Sequence, residues 1–516
     1  MTHSPGGPGS QPPGPGGWVE RVPLVLSLGI LVVVGAVVRT WALGAIGLNS
    51  DEAVYSGQAA ALAGNPTYGG LFQVFRAHPL LVQFLVSLVF RVALDDTLAR
   101  LVAVAFGVAA IPLAYATGSL LYGRRVGLVA AAIIALMPYH VFVSRQILLD
   151  APMTTLFLLT IYCLARFIAG GEGRWLYATA IAGGLAFLAK ETAVLVVPTA
   201  AAMVLVIPEI RLRPHQVVIA AILFLIALSP YPAAIAISGA TDTARQFLVW
   251  QLLRNPNHTW TFYAEVLPGA MGILVLLLAL VGLVILLRTR RWQDRLMVVW
   301  VLVPAAFFEA WPVKGYQYLL PIAPAVAIAA GIGLSALPGM LRRIAAPRTS
   351  LVTAAATAVL LLSLAAPTVA GVTTITTRGS LAGTGGLPGG REAGLWIRAH
   401  VPEGATFMTI GPTMSNIVRF YGQRAAFGVS VSPNPLRRNP AYDPIRNPDR
   451  SIQLLKLQYV AVDVWSADRS PFFANVVRRY VEKYHGHLIY EQHAQVRGDD
   501  DRITDQVVIQ IYEVRP

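Results

Sequence analysis

Cysteine is almost absent. Cys163 is the only one in 516 residues, and it sits inside an apolar run, which excludes a disulfide-stapled scaffold. Charge is scarce as well. Asp, Glu, Lys and Arg make up 13% of the chain, against about 25% in soluble domains, while 55% is hydrophobic. With a mean hydropathy of +0.60, the chain is neither a soluble globular protein nor a disordered one. Several chemical signatures are missing too: there is no P-loop, no GxGxxG after a strand, no HExxH and no GxSxG with triad support. A nucleotide-driven reaction is therefore disfavoured, and the substrate has to carry its own activation. No repeat of solenoid length is visible. The formal charge of +14 is not a nucleic-acid signal here, because basic residues of membrane proteins collect in cytoplasmic loops.

What the chain has is long apolar runs. The Pro/Gly/Ser-rich start, MTHSPGGPGSQPPGPGG, buries too little to fold, so residues 1–21 are expected to be a disordered cytoplasmic tail. Apolar runs follow near 22–43, 101–121, 126–143, 152–169, 175–189, 192–208, 216–236, 267–287, 296–310, 318–338 and 351–371. A bilayer needs about 20 apolar residues per helix, so residues 22–372 read as a membrane module of about eleven spans. Leu80 to Val92 is too short and reads as interfacial. On that assumption Arg124, Arg125, Arg211, Arg213, Arg288, Arg290, Arg291 and Arg295 fall on one side and Asp51, Glu52, Asp95, Asp96, Asp150 and Glu191 on the other, a coherent positive-inside pattern. In the second long outer loop, TDTARQFLVWQLLR reads either as a headgroup helix anchored by Phe247, Leu248 and Trp250 or as an ordinary connecting helix.

Near Thr373 the composition changes. Residues 373–390, with GSLAGTGGLPGG, read as a Gly-rich linker. Residues 391–516 alternate helix patterns (392–400, 416–421, 471–484) with strand patterns (405–410, 458–464, 506–513), which predicts an extracytoplasmic α/β domain. The fold class is thus a polytopic α-helical membrane protein with a C-terminal α/β domain.

Ionisable residues at membrane level are functional candidates by default. Asp51-Glu52 opens the first outer loop in LNSDEAVYSGQAA. If Asn49 or Ser50 caps a helix there, Asp51 and Tyr55 share a face and Glu52 is rotated about 100° away. The acids can equally serve the helix macrodipole. Asp150, in SRQILLDAP, is either a site residue or the cap of the next helix. Arg145, five residues earlier, suits an anionic headgroup or phosphate. Lys190-Glu191 interrupts FLAKETAVLVVP and either forms a structural pair or lines a polar cavity with a phosphate-binding lysine. His78 and His258 lie on the same side and could share a divalent metal, although solvated histidines explain them as well. In WPVKGYQYLLPIAP, Lys314 and Tyr316 face outward, and Pro321 and Pro324 would bend the next helix and free carbonyls.

Taken in order, these segments resemble the polytopic GT-C glycosyltransferases, specifically the bacterial relatives of protein O-mannosyltransferases and of the lipid A aminoarabinose transferase (glycosyltransferase family 39/83 type). The resemblance covers roughly residues 22–340. It rests on Asp51-Glu52 with Tyr55, on His78-Pro79-Leu80, on the block 100–159, on FLAKETAVLVVP and on KGYQYLLPIAP. It implies transfer of a sugar from a polyprenyl-phosphate donor to an acceptor hydroxyl on the outer face of the cytoplasmic membrane, with inversion. Asp51 inherits the role of base, Asp150 and Glu52 assist, and Lys190, Arg145, Lys314, Tyr55 and Tyr316 serve the lipid phosphate and donor. Relatives that bind a divalent metal use an acid before the prolines and a later histidine. His258 matches the latter, but the former position reads Arg76-Ala77-His78, with His78 as the available stand-in. The acceptor, whether protein, lipid or polysaccharide, is not named by the sequence. A transporter or flippase of amphipathic substrates is the competing reading, but such proteins place charges at the midplane and often show inverted repeats.

Overall fold

A computed structural model describes residues 24–74, 78–345, 349–378, 387–497 and 502–516. The expected N-terminal tail and residues 379–386 of the expected Gly-rich linker lie outside the described residues, whereas residues 373–378, expected to be linker, end the Thr349–Arg378 helix.

Among the described residues, each of the eleven apolar runs is mainly helical. Among the described residues, five helices are long and apolar enough to cross a membrane, or seven if each of two bent pairs counts as one span. The shortfall from eleven is physical. The Leu24–Thr40 and Gly173–Ala189 helices have 17 residues each. The Glu191–Leu195 turn and Val196–Val206 helix are a short apolar piece. Trp292–Ala310 carries Asp294 and Arg295 in its first turn. Leu81–Phe90 has ten residues, about 15 Å of helix, too short to span, as the interfacial reading required.

The broken span Arg124–Leu136 plus Pro138–Ser144 bends by 55° at Met137. Pro138 cannot donate to the preceding turn, and the freed carbonyls need partners. Arg39 supplies them: it donates to the carbonyls of Ile134 (2.9 Å) and Ala135 (3.0 Å) and to Ser144 Oγ (2.9 Å). The bend carries the chain from Ser144 to Asp150 across the top of the bundle. Close helix approach is secured elsewhere by small residues. A Cβ at Gly282 would run into the Ala329 carbonyl, so Ile273–Thr289 and Ala323–Ala345 pack backbone to backbone. The buried Trp300 Nε1 donates to the Pro321 carbonyl at 3.1 Å.

The C-terminal residues form a five-stranded sheet of order β2-β1-β3-β5-β4, with β1 Thr406–Thr409, β2 Ala425–Gly428, β3 Tyr459–Asp463, β4 His487–Arg497 and β5 Ile503–Glu513. The first three strands are parallel and the last two antiparallel. This unit seats on the end of the bundle that carries Asp51. Arg391 Nη2 binds Asp96 at 2.7 Å and Nη1 the Gly44 carbonyl at 2.8 Å. Tyr421 Oη donates to Asp96 and accepts from Leu48 N. Asn416 Nδ2 donates to Ser50 Oγ at 3.0 Å. The arginine-rich loops meet at the opposite end, where Tyr122 donates to Asp294 (3.0 Å) and Arg295 approaches Glu209 (3.7 Å).

One buried acid in the sheet unit has a stability consequence. Asp463, fully buried at the end of β3, caps the next helix through Ser466 N (2.7 Å), and its Oδ2 has no partner among the described residues. Burial pushes its carboxyl up to about 6. A raised acid favours the fold while protonated, so stability is highest below its unfolded pKa and declines as pH rises through the folded value. Two units correspond to about 3 kcal/mol. Asp463→Asn, which keeps the capping oxygen, should therefore slow hydrogen exchange across Tyr459–Asp463 at neutral pH, and the difference from wild type should vanish in mild acid.

Candidate active site

The site is assembled from the ends of four segments. The first is the Ser50–Leu62 helix. Asn49 caps it, its Oδ1 accepting from Asp51 N and Glu52 N at 3.0 Å each, while Glu52 Oε2 accepts from Asn49 N at 3.0 Å. This reciprocal box fixes the start of the helix. It also separates the two acids as their 100° offset predicts. Glu52 turns inward, fully buried. Its oxygens take Arg100 Nε at 2.8 Å, Arg100 Nη2 at 2.7 Å and Ile147 N at 3.0 Å. Every direction is used, so Glu52 is a structural anchor and not the catalytic acid expected from sequence. Asp51 faces the other way, partly exposed. Among the described residues its carboxylate accepts no hydrogen bond and forms no ion pair.

The second segment is the short stretch before Leu81–Phe90. His78 Nδ1 meets Glu191 Oε2 at 2.7 Å, and its ring stands edge-on to Tyr55 (5.8 Å between centroids) and to Phe247 (5.6 Å). Burial opposes protonation of His78, but the Glu191 carboxylate outweighs it and raises the imidazole above its usual value. Around Asp51, burial raises the carboxyl, His78 and Lys190 pull it down, and Asp150 and Glu52 push it up, with a net rise. Asp51, Asp150, Lys190 and His78 thus lie within electrostatic reach of one another.

The third segment is the start of Asp150–Gly170. Leu149 holds the cap position, with no side-chain cap bond, so Asp150 does not act as the cap. It accepts from Lys190 Nζ at 2.7 Å instead. The fourth is the break at Lys190, whose extended backbone (φ −158°, ψ 134°) separates the Gly173–Ala189 helix from the Glu191–Leu195 turn. Lys190 and Glu191 consequently do not pair with each other; they reach Asp150 and His78 respectively. The Lys190 ammonium also sits 4.9 Å from the Tyr318 ring centroid.

Other expectations are corrected. Arg145 is buried, and its Nη1 donates to the Val38 and Arg39 carbonyls at 2.9 Å, so it binds the chain rather than a phosphate. Lys314 is buried against Glu309 (3.0 Å) and over Trp260 (4.9 Å). Tyr316 packs edge-on to Tyr139 at 5.0 Å; Tyr318, two residues on, is the tyrosine at the site. Phe247 is buried against His78 instead of anchoring in headgroups, while Leu248 remains exposed. His258 is exposed and stacks on Phe262 at 4.1 Å. His78 and His258 do not form a ligand cluster: among the described residues, no three His, Cys, Asp or Glu side chains converge to hold a metal ion.

Sequence reasoning missed Arg254. It follows the Thr241–Leu252 helix, stacks its guanidinium on Trp250 at 4.5 Å and hydrogen-bonds Gln251. It lies near enough to Asp51 and Tyr318 to feel both, and no carboxylate pairs with it among the described residues. Beside this polar group runs an apolar groove of about 260 Å³ lined by Leu80, Leu81, Phe84, Leu188, Pro230, Tyr231 and Ala234. Leu80 is two residues from His78 and Leu188 two from Lys190, so the groove opens next to the ion pairs.

The profile of the dolichyl-phosphate-mannose-protein mannosyltransferase family matches residues 77–233, which contain His78, Asp150, Lys190 and Glu191. No curated protein matches the chain by sequence. Among solved structures, ArnT from Cupriavidus metallidurans bound to undecaprenyl phosphate is similar with a TM-score of 0.66 at 13% identity, over 95% of this chain and 98% of that one. The oligosaccharyltransferase AglB from Archaeoglobus fulgidus, in complex with an inhibitory peptide and a dolichol-phosphate, is similar with a TM-score of 0.56 at 13% identity, over 95% of this chain and 75% of that one. The chain is thus a multi-pass membrane protein that shares the GT-C fold of these structures, and its residues 77–233 match the profile of the dolichyl-phosphate-mannose-protein mannosyltransferase family.

Proposed function

We propose that the protein transfers a sugar from a polyprenyl-phosphate donor to an acceptor hydroxyl, at the membrane face away from its arginine-rich loops, with Asp51 as the base. The observation that carries this reading is one carboxylate, Asp51, that has no cation paired to it among the described residues, within electrostatic reach of the Asp150–Lys190 and His78–Glu191 pairs.

Each part of the chemistry has a place. The polyprenyl tail takes the groove along Leu81, Phe84 and Tyr231, which accounts for an enzyme embedded in lipid. The phosphate is held by Arg254 and by the Lys190 N–H groups left over from Asp150, since an ammonium has three donors. Asp150 holds Lys190 in position. His78 and Glu191 close the side of the site next to Tyr55. The acceptor oxygen attacks the anomeric carbon from the side of Asp51, which takes the hydroxyl proton. The bond from the anomeric carbon to the phosphate oxygen breaks, and its electron pair leaves on the polyprenyl phosphate. A single displacement of this kind inverts the anomeric centre. The ArnT and AglB structures, with undecaprenyl phosphate and dolichol-phosphate bound, support a lipid-phosphate ligand. The arginines of the far loops support the orientation.

The experiment is transfer of radiolabelled sugar from a polyprenyl-phosphate pool in membranes containing the chain. Incorporation into an acceptor with release of polyprenyl phosphate is expected. Movement of the intact lipid-linked sugar across the membrane without release would instead establish the transporter reading. Within the same assay, Arg254→Met should raise the donor KM about tenfold or more, because a charge-assisted contact to phosphate is lost, while Arg145→Met should lower the amount of folded protein and not the donor affinity of what remains.

A further inference from the structure

We infer that Asn416, in the C-terminal sheet unit, is an acceptor-binding residue: its side-chain oxygen takes a hydrogen bond from a polar group next to the hydroxyl that Asp51 activates. This inference rests on the glycosyl-transfer reading and adds to it a residue that aligns the acceptor.

The Pro412–Tyr421 helix packs along the Ser50–Leu62 helix. Tyr421 Oη accepts from Leu48 N at 2.9 Å, and Asn416 Nδ2 donates to Ser50 Oγ at 3.0 Å. Ser50 directly precedes Asp51. Asn416 Nδ2 also reaches Tyr442 Oη at 3.4 Å. Tyr442 lies within electrostatic reach of Tyr55, and so does Asp51. Tyr55 stands one turn after Asp51 on the same helix face. Asn416 is thus bracketed by Ser50 and by the Tyr442 hydroxyl beside Tyr55, which puts it at the border of the Asp51 face. The loop that carries Tyr442 also holds the Pro435–Arg437 turn, which packs against the Thr241–Leu252 helix that leads to Arg254. The sheet unit therefore touches the site from both sides.

Asn416 is fully buried, and its Oδ1 has no partner among the described residues. A buried amide oxygen left alone is costly, and native proteins keep few. The other residues that seat the unit on the bundle differ in this respect. Arg391 donates from Nε, Nη1 and Nη2, and the Tyr421 hydroxyl both donates and accepts. A residue kept only to seat the unit would be satisfied as they are. An acceptor that brings an O–H or N–H next to its reacting hydroxyl satisfies Oδ1. Asp51 then takes the proton of one group while Asn416 holds the other, which fixes the line of attack on the anomeric carbon. A reacting group displaced by about 1 Å can lose about 100-fold in rate.

The test uses the full chain in membranes supplied with a radiolabelled polyprenyl-phosphate sugar. Transfer to the acceptor already present in the membranes is compared with transfer to methanol and water, which bring a hydroxyl and no second polar group. Asn416→Leu should lower transfer to the membrane acceptor about tenfold or more. Transfer to methanol and water, and binding of undecaprenyl phosphate, should stay at wild-type values. Tyr421→Phe loosens the same interface without touching Asn416. It should lower the melting temperature and leave the ratio of the products unchanged. That ratio does not depend on how much protein folds, and Asn416→Ala provides a second, smaller replacement. A wild-type ratio in both Asn416 variants, or an equal change of ratio in Tyr421→Phe, overturns the inference and leaves the transfer reading standing. Failure of the wild-type chain to transfer label to any of the three overturns the transfer reading and this inference with it.

Discussion

Asp51→Asn should reduce sugar transfer by about 10²–10⁴-fold, the usual contribution of a positioned general base, with normal amounts of folded protein. The expected stability is near wild type because Asp51 accepts no hydrogen bond and forms no ion pair among the described residues. The Asn49 cap and Glu52, which organise the helix start, are untouched. The pH profile provides a second reading of the same residue. A base must be ionised, and burial holds the Asp51 carboxyl above its ordinary value. Activity should thus fall in acid through an apparent pKa higher than that of a free aspartate, and this limb should be absent from the residual activity of the Asn variant. Retention of full transfer by Asp51→Asn would move the base elsewhere.

Glu52→Gln should have an equally large effect of a different kind. Glu52 and Arg100 form a fully buried bidentate pair. Arg100 in turn donates to the carbonyls of Leu43, Ile46 and Gly47, at 2.8–3.0 Å. Removing one charge of a buried pair costs about 3–5 kcal/mol, because the remaining charge is left without compensation. The variant should melt at a clearly lower temperature in detergent and accumulate poorly in membranes. Any fraction that folds should still turn over donor, since the Asp51 face is intact. A Glu52→Gln protein of normal stability and no activity would return Glu52 to the chemistry. The two adjacent acids of one sequence motif are thus expected to separate into one rate phenotype and one stability phenotype.

The apolar runs made the helical body legible, because burial in lipid imposes hydrophobicity over the whole length of an element. A helix start at Asn49 or Ser50 was legible for a similar reason: the residue types that cap helices mark where one begins. From it followed the split between Asp51 and Glu52. The partner of each charge was not legible. Arg145, Lys314 and Arg254 are all cations beside apolar segments on the same side of the bundle. Only the fold decides that the first binds carbonyls at a helix end, that the second is consumed by Glu309, and that the third stays available. Tyr316 and Tyr318 differ by two residues in an irregular segment ending in the Leu320–Ile322 turn, where no periodicity tells which ring faces the site. The signal for Arg254 was its place just after an amphipathic helix, in the same segment as His258, but an interfacial arginine looks the same in sequence. In the sheet unit, β2 has four residues, too few for an alternating pattern, and β4 with its two register irregularities does not keep a strict period of two.

The most direct measurement is the position of the phosphate in a cryo-EM structure of the chain with bound undecaprenyl phosphate. That phosphate is expected against the Arg254 guanidinium and the Lys190 ammonium, with charge-assisted contacts of about 2.7–2.9 Å, the tail along Leu81 and Phe84, and the Asp51 carboxylate open toward the side where the sugar would sit. A phosphate bound at the arginine-rich far end of the bundle, or lodged where Asp51 cannot face it, would contradict the account.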